Sequence, residues 1–192
     1  MSLNIVYFLT FGYSLKTWEQ SSVLNREAKY FNFLSENFGY KFFLITYGDD
    51  EDLKYKYLFD NVEIIPIYKY IKKYRFKLVN FIFSFFYPLK LKNLINENIS
   101  IIKQNQLLGT WVSYFFKKIT KSKLFIRTGY DMYFFSIKDN KSIVKKMLYR
   151  ELTRLSLRIA DLYTVSSKSD YEFLKIKFLK GQNQDVSILP NW

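Results

Sequence analysis

Leu124–Asp131, LFIRTGYD, is the stretch whose reading decides the fold. Leu124, Phe125 and Ile126 form an uninterrupted apolar run, which suits a strand buried on both faces in a parallel sheet. Arg127, Thr128, Gly129, Tyr130 and Asp131 follow where that strand must end. They bring a charge, a hydroxyl, a flexible residue, a phenol and a carboxylate to one turn. In open α/β sheets ligands bind outside the carboxyl ends of the strands, so this turn is expected to face a working cleft. The plainer alternative is a strand exit with Asp131 solvated.

Similar runs lie on either side. Asn4–Phe11 (NIVYFLTF) reads as a first strand ended by Gly12, Tyr40–Tyr47 as a second, and Val62–Ile67 as a third. Ile99–Gln104 reads as the fourth, Asp161–Ser166 as the sixth and Val186–Leu189 as the seventh. Helices are expected between them. One starts at a capping box of Thr17 with Gln20 and runs to Phe38, with Leu24, Ala28, Phe31, Leu34 and Phe38 as its buried stripe and Gly39 as its C-cap. Another follows Gly109. A long one ends near Ala160, after a loop reaching Asn140, with Val144, Met147, Leu148, Leu152, Leu155 and Ile159 as its core face. On that helix Lys146, Arg150, Arg154 and Arg158 stand four apart and make a basic stripe. Ser169 with Glu172 reads as a further capping box. Strands alternating with helices give a Rossmann-like, doubly wound α/β domain with a mostly parallel sheet. The expected strand order is 3-2-1-4-5-6-7, with the cleft at the ends of strands one, four and five.

The chain has 192 residues, enough for one domain with a sizeable core. It contains no Cys and no His. Thiol nucleophiles, a catalytic histidine and Cys/His metal sites are therefore excluded, and no metal is expected. Lys and Arg number 30 against 17 for Asp and Glu, a formal net charge of +13. Such a surface attracts nucleic acid, anionic lipid or phosphorylated ligands, although an AT-rich coding sequence gives the same skew. Between Glu63 and Glu97 there is no acidic residue, while Lys69, Lys72, Lys73, Arg75, Lys77, Lys90 and Lys92 are interleaved with aromatic and aliphatic residues. Phe76–Phe86 reads as a helix interrupted by Pro88. The longest apolar stretch, Leu78–Leu89, is too short to span a bilayer, and the apolar N-terminal run lacks the basic flank of a secretory signal.

No dinucleotide fingerprint and no P-loop is present. Ser14, Lys16 and Thr17 precede a helix N-terminus that favours an anion, or they simply cap it. Asp49 and Asp50, after the second strand, read as a solvated turn.

Several segments, in order, resemble the N-terminal half of a GT-B glycosyltransferase: TYGD (Thr46–Asp49), NQLLGTW (Asn105–Trp111), IRTGYD, IADLYTVSS (Ile159–Ser167) and the terminal ILPNW. More closely they are similar to the retaining family that adds sugars in bacterial cell-surface glycan assembly. SLKTWEQ, with Arg26 and Glu27 on the same expected helix, resembles a bacterial subgroup. The resemblance implies that residues 1–192 form an acceptor-binding domain and that a C-terminal nucleotide-sugar domain lies outside this chain. It also implies a nucleotide sugar as co-substrate, with no cofactor bound by this domain alone. The acceptor is a glycan or a lipid-linked glycan, the location is the cytoplasm or the inner membrane face, and no nucleic acid is expected. Relatives place a His near the turn after the fourth or fifth strand; here Arg127 and Asp131 stand in that region and are the candidate catalytic pair. Gly12, Ser14 and Lys16 would lie near the diphosphate. Asn105, Gln106, Gly109 and Thr110 would line the cleft. Gly129 and Tyr130 would orient the acceptor together with Arg127 and Asp131, with Ser166 and Asn191 nearby. The rival reading is a stand-alone basic module that grips RNA or an anionic polymer through aromatic residues exposed beside basic ones.

Overall fold

The computed structural model describes residues 3–129, 131–179 and 186–190. Its centre is a seven-stranded sheet of β1 (Asn4–Phe8), β2 (Lys41–Thr46), β3 (Val62–Pro66), β4 (Ile101–Asn105), β5 (Lys123–Thr128), β6 (Leu162–Val165) and β7 (Val186–Ile188). The order is β3-β2-β1-β4-β5-β6-β7, and the pairings among the described residues are parallel, as the sequence predicts. Alternate side chains along a strand point to opposite faces, which divides the core in two. Tyr7, Leu9, Phe42, Leu44 and Ile64 meet Phe31, Trp18 and Tyr55 on one face. Val6, Phe8, Ile45, Ile102, Ile126 and Val165 meet Leu91, Phe116, Leu157 and Leu174 on the other.

The first expected helix is two helices, α1 (Leu15–Gln20) and α2 (Leu24–Phe38). Ser22 between them has φ 58°, a left-handed conformation that no continuous helix contains. The capping box at the start of α1 joins Ser14 and Thr17, not Thr17 and Gln20. Gly39 caps α2 in the left-handed conformation, as expected. The expected loop after Asp131 contains α7 (Met132–Lys138), capped by Asp131, and the cap of α9 (Lys168–Lys177) is Ser167, not Ser169. Between β2 and β3 runs a 3-10 helix, Asp50–Leu58.

Two helical regions turn apolar residues outward. In α8 (Ile143–Ile159) the expected core face is largely uncovered: Val144 is 76% exposed, and Met147 and Leu148 are exposed as well. The buried residues of this helix are Thr153, Ser156 and Leu157, near the end that reaches the sheet. After the short helix α3 (Ile67–Tyr70), the segment of α4 (Lys77–Phe83), a 3-10 turn at Ser84–Phe86, and α5 (Tyr87–Leu94) is inverted. Asn80 and Ser84 face inward, where Asn80 exchanges hydrogen bonds of 2.8 and 2.7 Å with the Tyr74 backbone and Ser84 accepts one of 2.8 Å from the Trp111 indole. Phe76, Leu78, Ile82, Phe86 and Leu89 face out. Pro88 sits in the first turn of α5, where its absent N–H is no loss, and so starts a helix instead of interrupting one. Among the described residues no helix is long and apolar enough to cross a membrane.

Candidate functional site

A cavity of about 380 Å³ opens at the carboxyl ends of β1, β4 and β5, where the sequence places the cleft. Thr10 and Tyr13 come from the exit of β1, and Trp18, Arg26 and Glu27 from α1 and α2. Asn105, Gln106 and Leu108 come from the exit of β4, and Arg127, Gly129 and Met132 from the exit of β5.

The β4 and β5 exits are tied together. Gln106 has φ 67°; its N–H donates to the Arg127 carbonyl at 2.8 Å, and its side-chain carbonyl accepts from Gly129 N–H at 3.2 Å. The Gly129 carbonyl in turn accepts from Ser166 Oγ at 3.0 Å, so Ser166 braces the wall. The Asn105 carbonyl accepts from Thr10 Oγ1, which links the exits of β1 and β4. Gly109 is the N-cap of α6 (Thr110–Thr120), with φ 104° and the Gln104 side chain close by, so a side chain there is strained and crowded. Thr110 is buried and bonds the Leu107 carbonyl; it braces the turn and does not line the cavity.

Arg127 lines the cavity, as expected, but its Nη2 donates to the carbonyls of Leu189 and Pro190, at 3.4 and 3.1 Å. Asp131 is turned into the protein, where its Oδ1 accepts from Phe134 N–H at 2.7 Å and caps α7, while Oδ2 has no hydrogen-bond partner among the described residues. Burial, with Asp170 adding to it, raises its pKa from 3.8 to about 6. The folded carboxyl therefore holds its proton up to about pH 6 and the unfolded one only to about 4. Stability is expected to fall between those values as pH rises, by about 3 kcal/mol, since each pKa unit is worth about 1.4 kcal/mol. Asp131→Asn keeps a capping oxygen and should flatten that slope in thermal melts between pH 4 and 7. Equal slopes in the two proteins would refute the assignment.

The three residues expected near a diphosphate are not in the cavity wall. Gly12 makes the turn after β1 with φ 84°, and Ser14 caps α1. Lys16 pairs with Glu51 at 3.3 Å on the exposed surface. Tyr130 and Asn191 lie outside the described residues.

In their place the fold supplies charges from α2 and mid-sheet. Arg26 and Glu27 form an ion pair of 2.9 Å, with Glu27 buried. Lys103, in the middle of β4, is buried with its Nζ 4.9 Å from the ring centroids of both Tyr7 and Tyr30. Burial, and then the charge of Arg127, lower its pKa to about 8. A lysine inside the apolar run of a central strand was the available signal for it; what it would meet depended on how α2 folds over the sheet.

No protein-family model and no curated protein sequence matches the chain. Solved structures do. A sucrose-phosphate synthase from Thermosynechococcus elongatus aligns with a TM-score of 0.65 at 13% identity, over 98% of this chain and 48% of that one. A shorter structure of that synthase aligns at 0.58 and 11% identity, covering 100% of this chain and 90% of its own. A UDP-glucosyltransferase from Polygonum tinctorium that glucosylates indoxyl, in complex with 3,4-dichloroaniline, aligns at 0.58 and 11% identity, over 99% of this chain and 52% of that one. The chain thus spans about half the length of the first and third of these structures, and the likeness is one of fold: a Rossmann-like α/β domain with GT-B glycosyltransferases as its neighbours.

Proposed function

We propose that this chain is the acceptor-binding domain of a retaining glycosyltransferase. It would act on a glycan or lipid-linked acceptor in cell-surface glycan assembly, with a nucleotide sugar held by a second domain. The carrying observation is the cavity at the ends of β1, β4 and β5, in a fold shared with a sucrose-phosphate synthase and a UDP-glucosyltransferase. Retention and the cell-surface role rest on the sequence resemblance alone. Transfer through an oxocarbenium-like state needs a positioned acceptor hydroxyl and positive charge near the developing negative charge. Asn105, Gln106 and Gly129 supply hydrogen-bonding groups on a braced wall, and Arg127 supplies the charge. Both faces of such a cleft contribute to the transition state. The 192-residue chain alone is therefore expected to release no nucleotide diphosphate from a nucleotide sugar. Turnover by this chain alone would contradict the acceptor-side assignment.

The inverted segment from Tyr68 to Lys92 supports contact with an anionic bilayer at the cytoplasmic face. Its exposed Phe76, Leu78, Phe86 and Leu89 are suited to the interface, beside Lys72, Lys73, Arg75 and Lys77. Lys69 is already paired with Asp50 at 3.0 Å and contributes less. Leu78, Ile82 and Leu89 are aliphatic and cannot stack on bases, which favours lipid over RNA. With each cation worth about 1 kcal/mol near an anionic leaflet, the triple change of Lys72, Lys73 and Lys77 to Gln should weaken sedimentation with anionic vesicles by about 100-fold. Equal binding to neutral vesicles, or tighter binding to RNA than to vesicles, would refute the contact.

A further inference from the structure

Helix α8 presents its apolar side to the outside. Ile143, Val144, Met147 and Leu148 recur at the spacing of one helix face, and all four are at least 60% exposed. The residues it buries are Thr153, Ser156 and Leu157. An exposed apolar face of this kind marks a surface that something covers. The helix also carries Lys145, Lys146, Arg150, Arg154 and Arg158 against one carboxylate, Glu151, which pairs with Arg154 at 2.7 Å. A cationic and aliphatic helix fits an anionic bilayer, where the cations meet the headgroups and the aliphatic side chains enter the interface. A second copy of the chain fits it poorly, because two such helices packed together would set the cations of both against one another.

The place of α8 in the fold agrees. It carries the chain from the carboxyl end of β5, through α7, back to the amino end of β6. Its first turns therefore stand on the side of the sheet where the cavity opens. At its other end the Ile159 carbonyl accepts from Lys117 Nζ of α6 at 2.9 Å. α6 in turn meets Phe85 of the inverted segment through Trp111 and Phe115. α8 and that segment thus pack against the same helix, on one face of the sheet, and one bilayer can meet both. We infer that α8 is an amphipathic anchor that lays Ile143, Val144, Met147 and Leu148 into an anionic bilayer, on the side where the cavity opens. This rests on the membrane contact proposed for Tyr68–Lys92 and extends it to a separate element. Two contacts fix how the domain sits on the surface and keep the cavity beside it, which suits a lipid-linked acceptor.

The chain has no Cys, so a single introduced thiol can be labelled alone. The test labels Val144→Cys with a polarity-sensitive fluorophore. The control is Tyr57→Cys, an 82% exposed position on the 3-10 helix whose Tyr55 packs on the opposite face of the sheet. Each is mixed with vesicles of phosphatidylcholine, with and without phosphatidylglycerol. Emission from Val144→Cys should shift to the blue with the anionic vesicles only, and the shift should shrink in high salt. Emission from Tyr57→Cys should not move. Met147→Ser together with Leu148→Ser should weaken sedimentation with anionic vesicles about tenfold, the scale of burying one apolar side chain. An unmoved label on Val144→Cys, while the change of Lys72, Lys73 and Lys77 to Gln still weakens sedimentation, overturns α8 as an anchor and leaves the first contact standing. A blue shift that needs no lipid and grows with protein concentration gives the face to a second copy and overturns the inference. A shift with polyglutamate and none with vesicles gives it to an acidic protein and overturns it too, as do equal shifts with both kinds of vesicle. No sedimentation of the unsubstituted chain with either kind overturns both contacts.

Discussion

Replacing Arg127 with alanine is expected to lower kcat/KM for sugar transfer by about 100-fold in the complete enzyme, the scale of losing one group aimed at developing charge. The residue follows the apolar run Leu124–Ile126 and ends against the cavity. It also holds the carbonyls of Leu189 and Pro190, so the alanine variant loosens the exit of β7 as well. The two roles separate by measurement. Arg127→Lys keeps the charge but loses the fork of donors, and should recover part of the rate if charge dominates. Thermal denaturation of each variant reports the structural share. A loss smaller than about threefold with the fold intact would make Arg127 a brace for the chain and nothing more.

The second large effect is on stability. Gly48 lies just after β2, where a Cβ would stand 2.1 Å from Asp52 Oδ2. Asp52 cannot yield without loss: it is buried, accepts from Leu15 N–H at 3.1 Å and from the Thr46 hydroxyl, and so fastens the 3-10 helix to both α1 and β2. Burial raises its pKa and these hydrogen bonds oppose the rise. Gly48→Ala should displace the carboxylate and break both bonds. At about 1.5–3 kcal/mol for each hydrogen bond to a charged group, the loss is about 3–6 kcal/mol in urea denaturation. Adding Asp52→Ala removes the atoms in conflict, so the double variant should lose less than the sum of the singles. Strict additivity would show that the glycine is there for some other reason.

The strand order was legible because the strands carry their own evidence: Leu124–Ile126 and Phe42–Ile45 are apolar on both faces, and each exit has a turn residue. The outward-facing helices were not. The spacing of Val144, Met147 and Leu148 says which residues share a face, but periodicity does not say whether anything covers that face. In α4 the inward residues are Asn80 and Ser84, each satisfied by a partner that only the folded chain brings near. The site divides in the same way. Asn105, Gln106, Arg127 and Gly129 follow predicted strands, and the fold brings them together. The place of Ser14 and Lys16 before a helix allows an anion or a simple cap; Ser14 is the cap, and Lys16 pairs on the surface with Glu51, distant in sequence. The sequence points Asp131 toward the cleft, but an Asp immediately before a seven-residue helix serves as its cap. Lys103 and Tyr30 meet only because α2 lies across the sheet, a contact with no local trace.

The central claim is that the cavity at the ends of β1, β4 and β5 holds the acceptor. Backbone and indole NMR shifts of the ¹⁵N-labelled chain, titrated with a panel of neutral and charged sugars and with UDP-glucose, test it most directly. The account predicts that at least one sugar of the panel moves the amides of Asn105, Gln106 and Gly129 and the indole of Trp18, whereas UDP-glucose moves them less. Still cavity amides in the presence of every sugar, with large shifts there from UDP-glucose, would contradict it.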